Sequence, residues 1–201
     1  VVQKVITTME EPSSLQFIVD SLTRHGGWAV QAAKNRYACR VIKHLLKACS
    51  PAQVCEIAEI LLEVAGTLAC HTFGHSVVQH LLEHSNKDQQ YRLVRNIEQS
   101  AARIGQCPVG GIVLETLLTH AAVEDKVWIA RAFGQDPTVL LTLAKNKRGY
   151  ASVLLLHDIL QNHGDQCVRT SLAQHSVTLR ATRFGRIVAQ RLDISDSEPC
   201  P

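Results

Sequence analysis

The chain has 201 residues, of which 46% are hydrophobic and 4% aromatic, and its formal net charge is +3. This length and apolar content allow a substantial buried core and exclude wholesale disorder. Leu and Ala are abundant, while Val, Thr and Tyr do not gather into alternating runs, so the chain is predicted to be mainly helical. The small positive charge permits a polyanionic partner without requiring one.

Two further features bear on the compartment. No apolar run reaches the roughly 18 residues that a transmembrane helix needs. Seven scattered cysteines form no CxxC pair, which predicts reduced thiols in an intracellular compartment, either cytoplasmic or nuclear. Because the chain opens at Val1 rather than Met, we expect it to begin inside a longer protein, and this leaves an organellar location open.

One short pattern recurs along the whole chain at nearly constant spacing. Its fifth members are Gln3, Lys43, Gln79, Glu115, Leu154 and Gln190, separated by 40, 36, 36, 39 and 36 residues. The complete copies are CRVIKHLL (39–46), HSVVQHLL (75–82), GIVLETLL (111–118), YASVLLLH (150–157) and RIVAQRLD (186–193), with a truncated copy, VVQKVI, at 1–6. A small residue precedes each complete copy: Ala38, Gly74, Gly110, Gly149 and Gly185. A period of this length is typical of helical repeat arrays.

Each interval between copies contains two helical patterns. The upstream pattern is amphipathic, with apolar residues at helical spacing in Val54, Ile57, Ala58 and Leu61. The downstream helix is the repeated segment itself, and N-cap residues stand before three of its copies: Asn35, Asn146 and Thr182. Such helix pairs cannot bury their apolar faces alone and must stack on their neighbours, which predicts an α-solenoid.

The stretch HTFGHSVVQHLLEH (71–84) contains four histidines and therefore raises the question of a metal site. His80 and His84 are four residues apart, but the sequence offers no third ligand at a suitable spacing, and His80 occupies the same repeat position as His44. We therefore predict no metal site and no cofactor. No HExxH motif, phosphate-binding glycine loop or other catalytic constellation occurs, so the protein is predicted not to be an enzyme.

The repeated segment resembles the core of Pumilio (PUF) repeats, in which an aromatic–small pair precedes two variable residues, two β-branched residues and Gln. FGHSVVQHLL and YACRVIKHLL carry the resemblance best, and RFGRIVAQRL and VGGIVLETLL carry it more weakly. HEAT and armadillo repeats are the structural alternatives. The resemblance implies an all-α fold, a right-handed α-solenoid (a curved superhelix) of about five Pumilio-like repeats. Residues 1–193 would form the array, with a truncated first repeat at 1–12, and residues 194–201 would form a tail.

The resemblance also implies a binding site. Pumilio repeats hold single-stranded RNA on the concave face, one base per repeat, through the first, second and fifth residues of the repeated segment. The first and fifth share a helix face, and the second can stack on a base. Cys39 is equally consistent with a base contact and with a small buried filler. The candidate RNA-binding residues are Gln3, Cys39, Arg40, Lys43, His75, Ser76, Gln79, Glu115, Tyr150, Arg186 and Gln190.

The implied function is binding of single-stranded RNA, such as mRNA, in post-transcriptional regulation or RNA processing, with protein partners on the convex face. Several positions depart from the family pattern: Ser76, Ile112, Ala151 and Ile187 replace stacking residues, and Leu154 replaces a polar one. These departures favour an alternative, in which a degenerate array serves as a scaffold for protein–protein interaction in a larger assembly. A third reading is non-specific binding of structured RNA through a basic outer face.

Overall fold

The computed structural model describes residues 15–195, and within this range the regular elements are fifteen α-helices in five consecutive groups of three. The first group is α1 (Gln16–Thr23), α2 (Gly26–Lys34) and α3 (Ala38–Ala48), and the second is α4 (Pro51–Glu63), α5 (Ala65–Ala69) and α6 (His75–His84). The third is α7 (Lys87–Gln99), α8 (Ala101–Gln106) and α9 (Gly110–His120). The fourth is α10 (Val123–Gly134), α11 (Pro137–Lys145) and α12 (Tyr150–Asn162), and the fifth is α13 (Cys167–Ala173), α14 (Ser176–Arg180) and α15 (Arg183–Arg191).

Each repeat therefore has three helices where the sequence analysis predicted two. The repeated segment forms the last helix of each group, as expected, but the upstream stretch is divided. In the second repeat the division falls at Val64, which ends α4 and precedes α5. In the fourth it falls at Asp136, whose carboxylate accepts hydrogen bonds from the backbone N–H groups of Thr138 and Val139 and so begins a new helix at Pro137.

The first helix of the second repeat shows how the sequence determines these elements. The Ser50 side chain accepts a hydrogen bond from the Gln53 backbone N–H, and the Gln53 side chain accepts one from the Ser50 N–H at 3.0 Å. This reciprocal capping box fixes the start of α4. All four apolar residues of the predicted stripe are buried, so the predicted amphipathic face is confirmed: Val54, Ile57, Ala58 and Leu61.

The chain divides into two compact units, the first ending at Ile97 and the second beginning at Glu98. In the first unit α1 packs against α4, and α3 packs against α6. In the second unit α9 packs against α12, and α12 packs against α15. Within each unit the repeated segments thus lie side by side, as stacking repeats require.

The small residue before each repeated segment has a steric cause. Gly110 and Gly185 lie so close to the backbone carbonyl oxygens of Ile104 and Leu179 that a Cβ atom would overlap them. At Gly149 the same atom would lie 2.6 Å from the Leu143 oxygen. In each case the contacted residue stands six positions earlier, on the short middle helix. The repeated helix can therefore begin only where its first turn has little or no side chain.

Ile194, the first residue of the predicted tail, is only 4% exposed, and its backbone carbonyl accepts a hydrogen bond from Arg180. The packed part of the chain thus includes Ile194.

Among the helices of residues 15–195, none combines the length and apolar character that crossing a membrane requires.

Candidate functional site

The repeated helices α3, α6, α9, α12 and α15 carry the candidate site. We name the first, second and fifth residues of each repeated segment the recognition positions. The two residues between the second and fifth face the core, as predicted, in most copies: Val77, Val78, Val113, Leu114, Val188 and Ala189 are buried. The exceptions are Val41, which is half-buried, and Ser152, which is buried but polar. This register directs the second and fifth recognition positions away from the core on each helix.

On α3 the three recognition positions differ in accessibility. Cys39 is 4% exposed, and its Sγ atom lies 3.5 Å from the Arg36 carbonyl oxygen. This placement favours the reading of Cys39 as a small buried filler. Arg40 is exposed and Lys43 is half-buried, so both cationic groups remain available on the helix surface.

On α6 all three recognition positions are half-buried. The Nδ1 atom of His75 lies 3.2 Å from the His71 carbonyl oxygen, so this ring is held against the turn before the helix. The Ser76 hydroxyl donates to the Phe73 carbonyl at 2.9 Å. Gln79 is the residue on this helix whose amide can offer both a donor and an acceptor to a base edge.

On α9 the first recognition position has no room for a side chain. Gly111 packs so tightly that a Cβ atom would overlap the Arg148 carbonyl oxygen and lie 2.5 Å from the Gly149 Cα atom. The Ser152 hydroxyl, which is fully buried, donates to the Gly111 carbonyl at 2.6 Å. The third repeat therefore packs against the fourth through backbone contacts. Ile112 is half-buried, and Glu115 is the exposed polar group among the recognition positions of this helix.

On α12 and α15 an aromatic contact joins the two helices. The Tyr150 ring stacks on the Phe184 ring with their centroids 5.3 Å apart and their planes inclined by 25°. Leu154, the fifth recognition position of α12, is half-buried and apolar. Arg186 and Gln190 on α15 are exposed, and the Arg186 guanidinium donates to the Arg180 carbonyl at 3.3 Å. The fifth repeat therefore offers the polar groups that the fourth lacks.

In four of the five repeats, a side chain four residues before the repeated segment accepts backbone hydrogen bonds and positions the helix. Asn35 Oδ1 accepts from the backbone N–H groups of Tyr37 and Ala38 at 2.9 and 3.1 Å. Asn146 and Thr182 accept in the same way from Arg148 and Gly185. In the second repeat the equivalent residue is His71, whose Nδ1 atom lies 3.2 and 3.3 Å from the nitrogens of Phe73 and Gly74.

The cap at His71 and the stack at Phe184 were not found by sequence reasoning. The repeat period could have revealed the cap at His71. This residue stands one repeat (36 residues) after Asn35 and two repeats (75 residues) before Asn146. The predicted caps Asn35, Asn146 and Thr182 all accept backbone hydrogen bonds. Gln3 lies outside the described residues.

The recognition positions differ in charge between the two units. In the first unit they include Arg40 and Lys43 and no carboxylate. In the second unit the described positions include one cation, Arg186, and one anion, Glu115. By charge, the recognition positions of the first unit therefore favour a polyanion more than those of the second unit do.

Comparison with known protein families finds matches in two stretches of the chain. The family model of the Pumilio-family RNA binding repeat matches residues 29–62 and 66–98. No curated protein sequence matches the chain significantly.

Several solved structures share the fold. PUF-8 in complex with PBE-RNA matches with a TM-score of 0.80 and 23% identity, over 96% of this chain and 56% of that one. The Puf3 RNA binding domain bound to a Cox17 RNA 3′ UTR recognition sequence matches with a TM-score of 0.74 and 16% identity, over 98% and 60%. The RNA-binding domain of yeast Puf5p bound to SMX2 RNA matches with a TM-score of 0.74 and 13% identity, over 97% and 56%.

The chain thus spans between 56% and 60% of the length of these three structures. Their similarity establishes the fold, and the predicted all-α solenoid of about five repeats is confirmed.

Proposed function

We propose that this chain, in which two stretches match the Pumilio-family RNA binding repeat, belongs to that family and binds single-stranded RNA through the recognition positions of its repeated helices. The binding would serve the regulation or processing of a transcript and would need no chemistry from the chain itself. The array that carries it would extend over residues 1–193.

The observation that carries the proposal is the pairing of α3 with α6 in the first unit. These helices pack side by side and bury the residues between their recognition positions, apart from the half-buried Val41. Arg40 is exposed, and Lys43 and Gln79 are half-buried. A guanidinium can stack on a base, an amide can bond a base edge, and both cations can meet phosphates. The two matches to the family model also cover these helices.

The second unit favours a different task. Its recognition positions include a glycine without space for a side chain, a tyrosine that stacks on its neighbour and a leucine: Gly111, Tyr150 and Leu154. Such groups read bases poorly but can contact an apolar partner. A second candidate function is therefore a protein-binding scaffold formed by this unit, with RNA reading restricted to the remaining positions.

A paired substitution tests the RNA proposal. Arg40→Ala combined with Gln79→Ala removes one stacking and one base-edge group, so we expect affinity for a random single-stranded RNA pool to fall by at least about tenfold. Arg131→Ala with Gln135→Ala is the matched control, because both residues are exposed at the end of a helix outside the repeated segments. Fluorescence anisotropy gives the affinities, and thermal denaturation shows that both variants fold. Equal affinity of the two variants would place the RNA elsewhere or exclude it.

Salt dependence separates the two candidate functions. RNA held by phosphate contacts loses affinity as salt rises, with a slope of about 0.7 per contact for single strands. We expect Arg40→Ala to reduce this slope, whereas binding of an apolar protein segment would change little with ionic strength. A slope that the variant leaves unaltered would contradict an RNA contact by Arg40.

A further inference from the structure

The last turn of α6 gathers three metal-ligating side chains on one face. The His80 Nδ1 atom lies 3.5 Å from a carboxylate oxygen of Glu83, and the His84 Nε2 atom lies 3.9 Å from the same oxygen. The two imidazole rings meet edge to face with centroids 4.6 Å apart. One potential ligand atom from each residue lies within 4.8 Å of the other two. Sequence reasoning had rejected a metal site for want of a third ligand, and Glu83 provides one.

The separations are close to those that a bound ion would impose. A tetrahedral Zn²⁺ with ligand bonds of about 2.0–2.1 Å places its ligand atoms about 3.3 Å from one another. The two nitrogen–oxygen distances exceed this by a few tenths of an ångström, which small side-chain rotations can supply. Two histidines with one carboxylate is an established protein ligand set for zinc, with water in the fourth position.

The surroundings of the cluster are mixed in charge. Burial and the nearby His84 ring lower the pKa of His80, Glu83 opposes them, and the charges of the nearby Lys43 and Lys47 lower it by smaller amounts. The two lysines disfavour a cation, whereas the Glu83 carboxylate and the carbonyl end of α6 favour one.

The cluster also borders a cavity of about 280 Å³ inside the first unit. Leu46, Cys49, Cys55, His80, His84 and Gln89 are among its lining residues. The cavity gives an ion room for water ligands beside the helix. We propose that His80, Glu83 and His84 form a binding site for one divalent transition-metal ion of the Zn²⁺, Co²⁺ or Ni²⁺ type. It would lie between the first and second repeats.

The chain contains its own matched control. The equivalent segment of α3 reads HLLKA instead of HLLEH, so His44 is present while Lys47 and Ala48 replace the other two ligands. Replacing Lys47→Glu together with Ala48→His, both exposed positions, would transplant the ligand set to α3. The same spacing on an equivalent helix should then bind a second ion.

Cobalt absorption tests the proposal on the full chain without any added histidine tag. Wild type should bind one equivalent of Co²⁺, show the visible bands of a tetrahedral site, and release the ion to Zn²⁺. His80→Ala and His84→Ala should each weaken binding by more than about tenfold, since the loss of a partner that only orients a ligand already costs about 10–100-fold. His44→Ala should leave binding unchanged, and the transplanted ligand set should raise the stoichiometry to two.

Three results would overturn the site. One is a wild-type chain that binds no Co²⁺. Another is equal affinity in wild type and both alanine variants. The third is a thiolate-to-cobalt charge-transfer band that the histidine variants do not alter, since the ion would then be held by cysteines. If an alanine variant unfolds, Glu83→Gln at an exposed position and the transplanted set decide the question. Affinity of Glu83→Gln equal to wild type, or a transplanted set that adds no ion, would refute the proposal.

Discussion

Gly111 leaves one recognition position without a side chain and allows two repeats to pack closely. Its Cα hydrogen faces the Arg148 carbonyl and the Gly149 backbone, and its own carbonyl accepts the buried Ser152 hydroxyl. Any side chain here would push the third repeat away from the fourth. The first recognition position of this repeat therefore lacks a side chain because α9 and α12 pack closely.

We expect Gly111→Ala to destabilise the protein by about 1–3 kcal/mol, the usual cost of forcing an extra carbon into a packed site. Gly27→Ala is the control, because a Cβ atom at Gly27 meets nothing within 4 Å and alanine favours the helix by about 1 kcal/mol. Urea denaturation gives both free energies of unfolding. A Gly111→Ala variant as stable as wild type would show that the backbone there separates without cost.

His157 is a second residue whose surroundings have a measurable consequence. It is 8% exposed, and burial lowers its pKa, with the nearby Arg169 lowering it further and Asp158 opposing. The folded protein therefore holds this imidazole neutral more strongly than the unfolded chain does. Its contribution to stability is present above the unfolded pKa of about 6.5 and is lost as the pH falls through the lower folded value.

We accordingly expect the free energy of unfolding to decrease as the pH is lowered from 7 to 5, and His157→Gln to make this decrease shallower. His163→Gln is the control, because His163 is exposed at the end of the same helix. Denaturant titrations at several pH values measure both slopes. The buried His157 would be excluded as a source of the pH dependence if His157→Gln and His163→Gln gave the same slope.

At the scale of the helices, the residue four positions before the repeated segment caps the helix in four of the five repeats. Two asparagines and a threonine perform this task with oxygen acceptors, and His71 performs it with a ring nitrogen. The cap satisfies N–H groups that have no partner inside the helix, and it fixes the turn that brings the small residue against the middle helix.

We expect His71→Ala to cost about 1 kcal/mol of stability and His71→Asn to restore it, because asparagine caps the equivalent helix in the first repeat. Thermal and urea denaturation of the two variants provide the comparison. The asparagine variant distinguishes capping from simple loss of ring packing against Phe73, whose centroid lies 6.0 Å away. Equal destabilisation by alanine and asparagine would indicate packing as the role of His71.

The helical period predicted an element well where the residue types that form it have a single structural role. The repeated helices, the buried stripe of α4 and the oxygen caps all follow from spacing, because each depends on local geometry. Val64 and His71 are positions where the sequence pattern did not predict the structure. A break between two helices at a valine leaves no signal in residue type, and a histidine that caps a helix looks the same in sequence as one that binds metal.

The candidate site was predictable to a lesser degree for a related reason. Register alone placed Arg40 and Gln79 on the surface, and both are accessible. The burial of Cys39, the exclusion of a side chain at Gly111 and the stack of Tyr150 on Phe184 depend on contacts with residues up to 38 positions away. Contacts of that kind arise from how repeats stack and leave no trace in any single copy.

For the molecule as a whole, the two units combine the same helical pattern with different surfaces. The first unit carries cations and an amide at its recognition positions, and the second carries close backbone contacts and an aromatic stack. Both use the same packing of repeated helix on repeated helix. A repeat array can vary its surface in this way because each repeat draws its stability from itself and its immediate neighbours.

This locality gives a prediction for the whole chain. Leu68 and Leu179 occupy equivalent places on the middle helices α5 and α14, and both are fully buried. Replacing either by alanine leaves a cavity that costs about 2–5 kcal/mol. If stability is local, Leu179→Ala should speed amide hydrogen exchange in α13–α15 and to a lesser extent in α12, while α4 keeps its wild-type protection.

Leu68→Ala should give the reverse pattern, with faster exchange in α4–α6 and their neighbours and unchanged protection in α14 and α15. Hydrogen exchange followed by mass spectrometry under native conditions resolves both, since each variant serves as the control for the other. A uniform rise in exchange across all helices, from either variant, would mean that the chain opens as one cooperative body. The independence that the proposed division of tasks between the two units requires would then have no energetic basis.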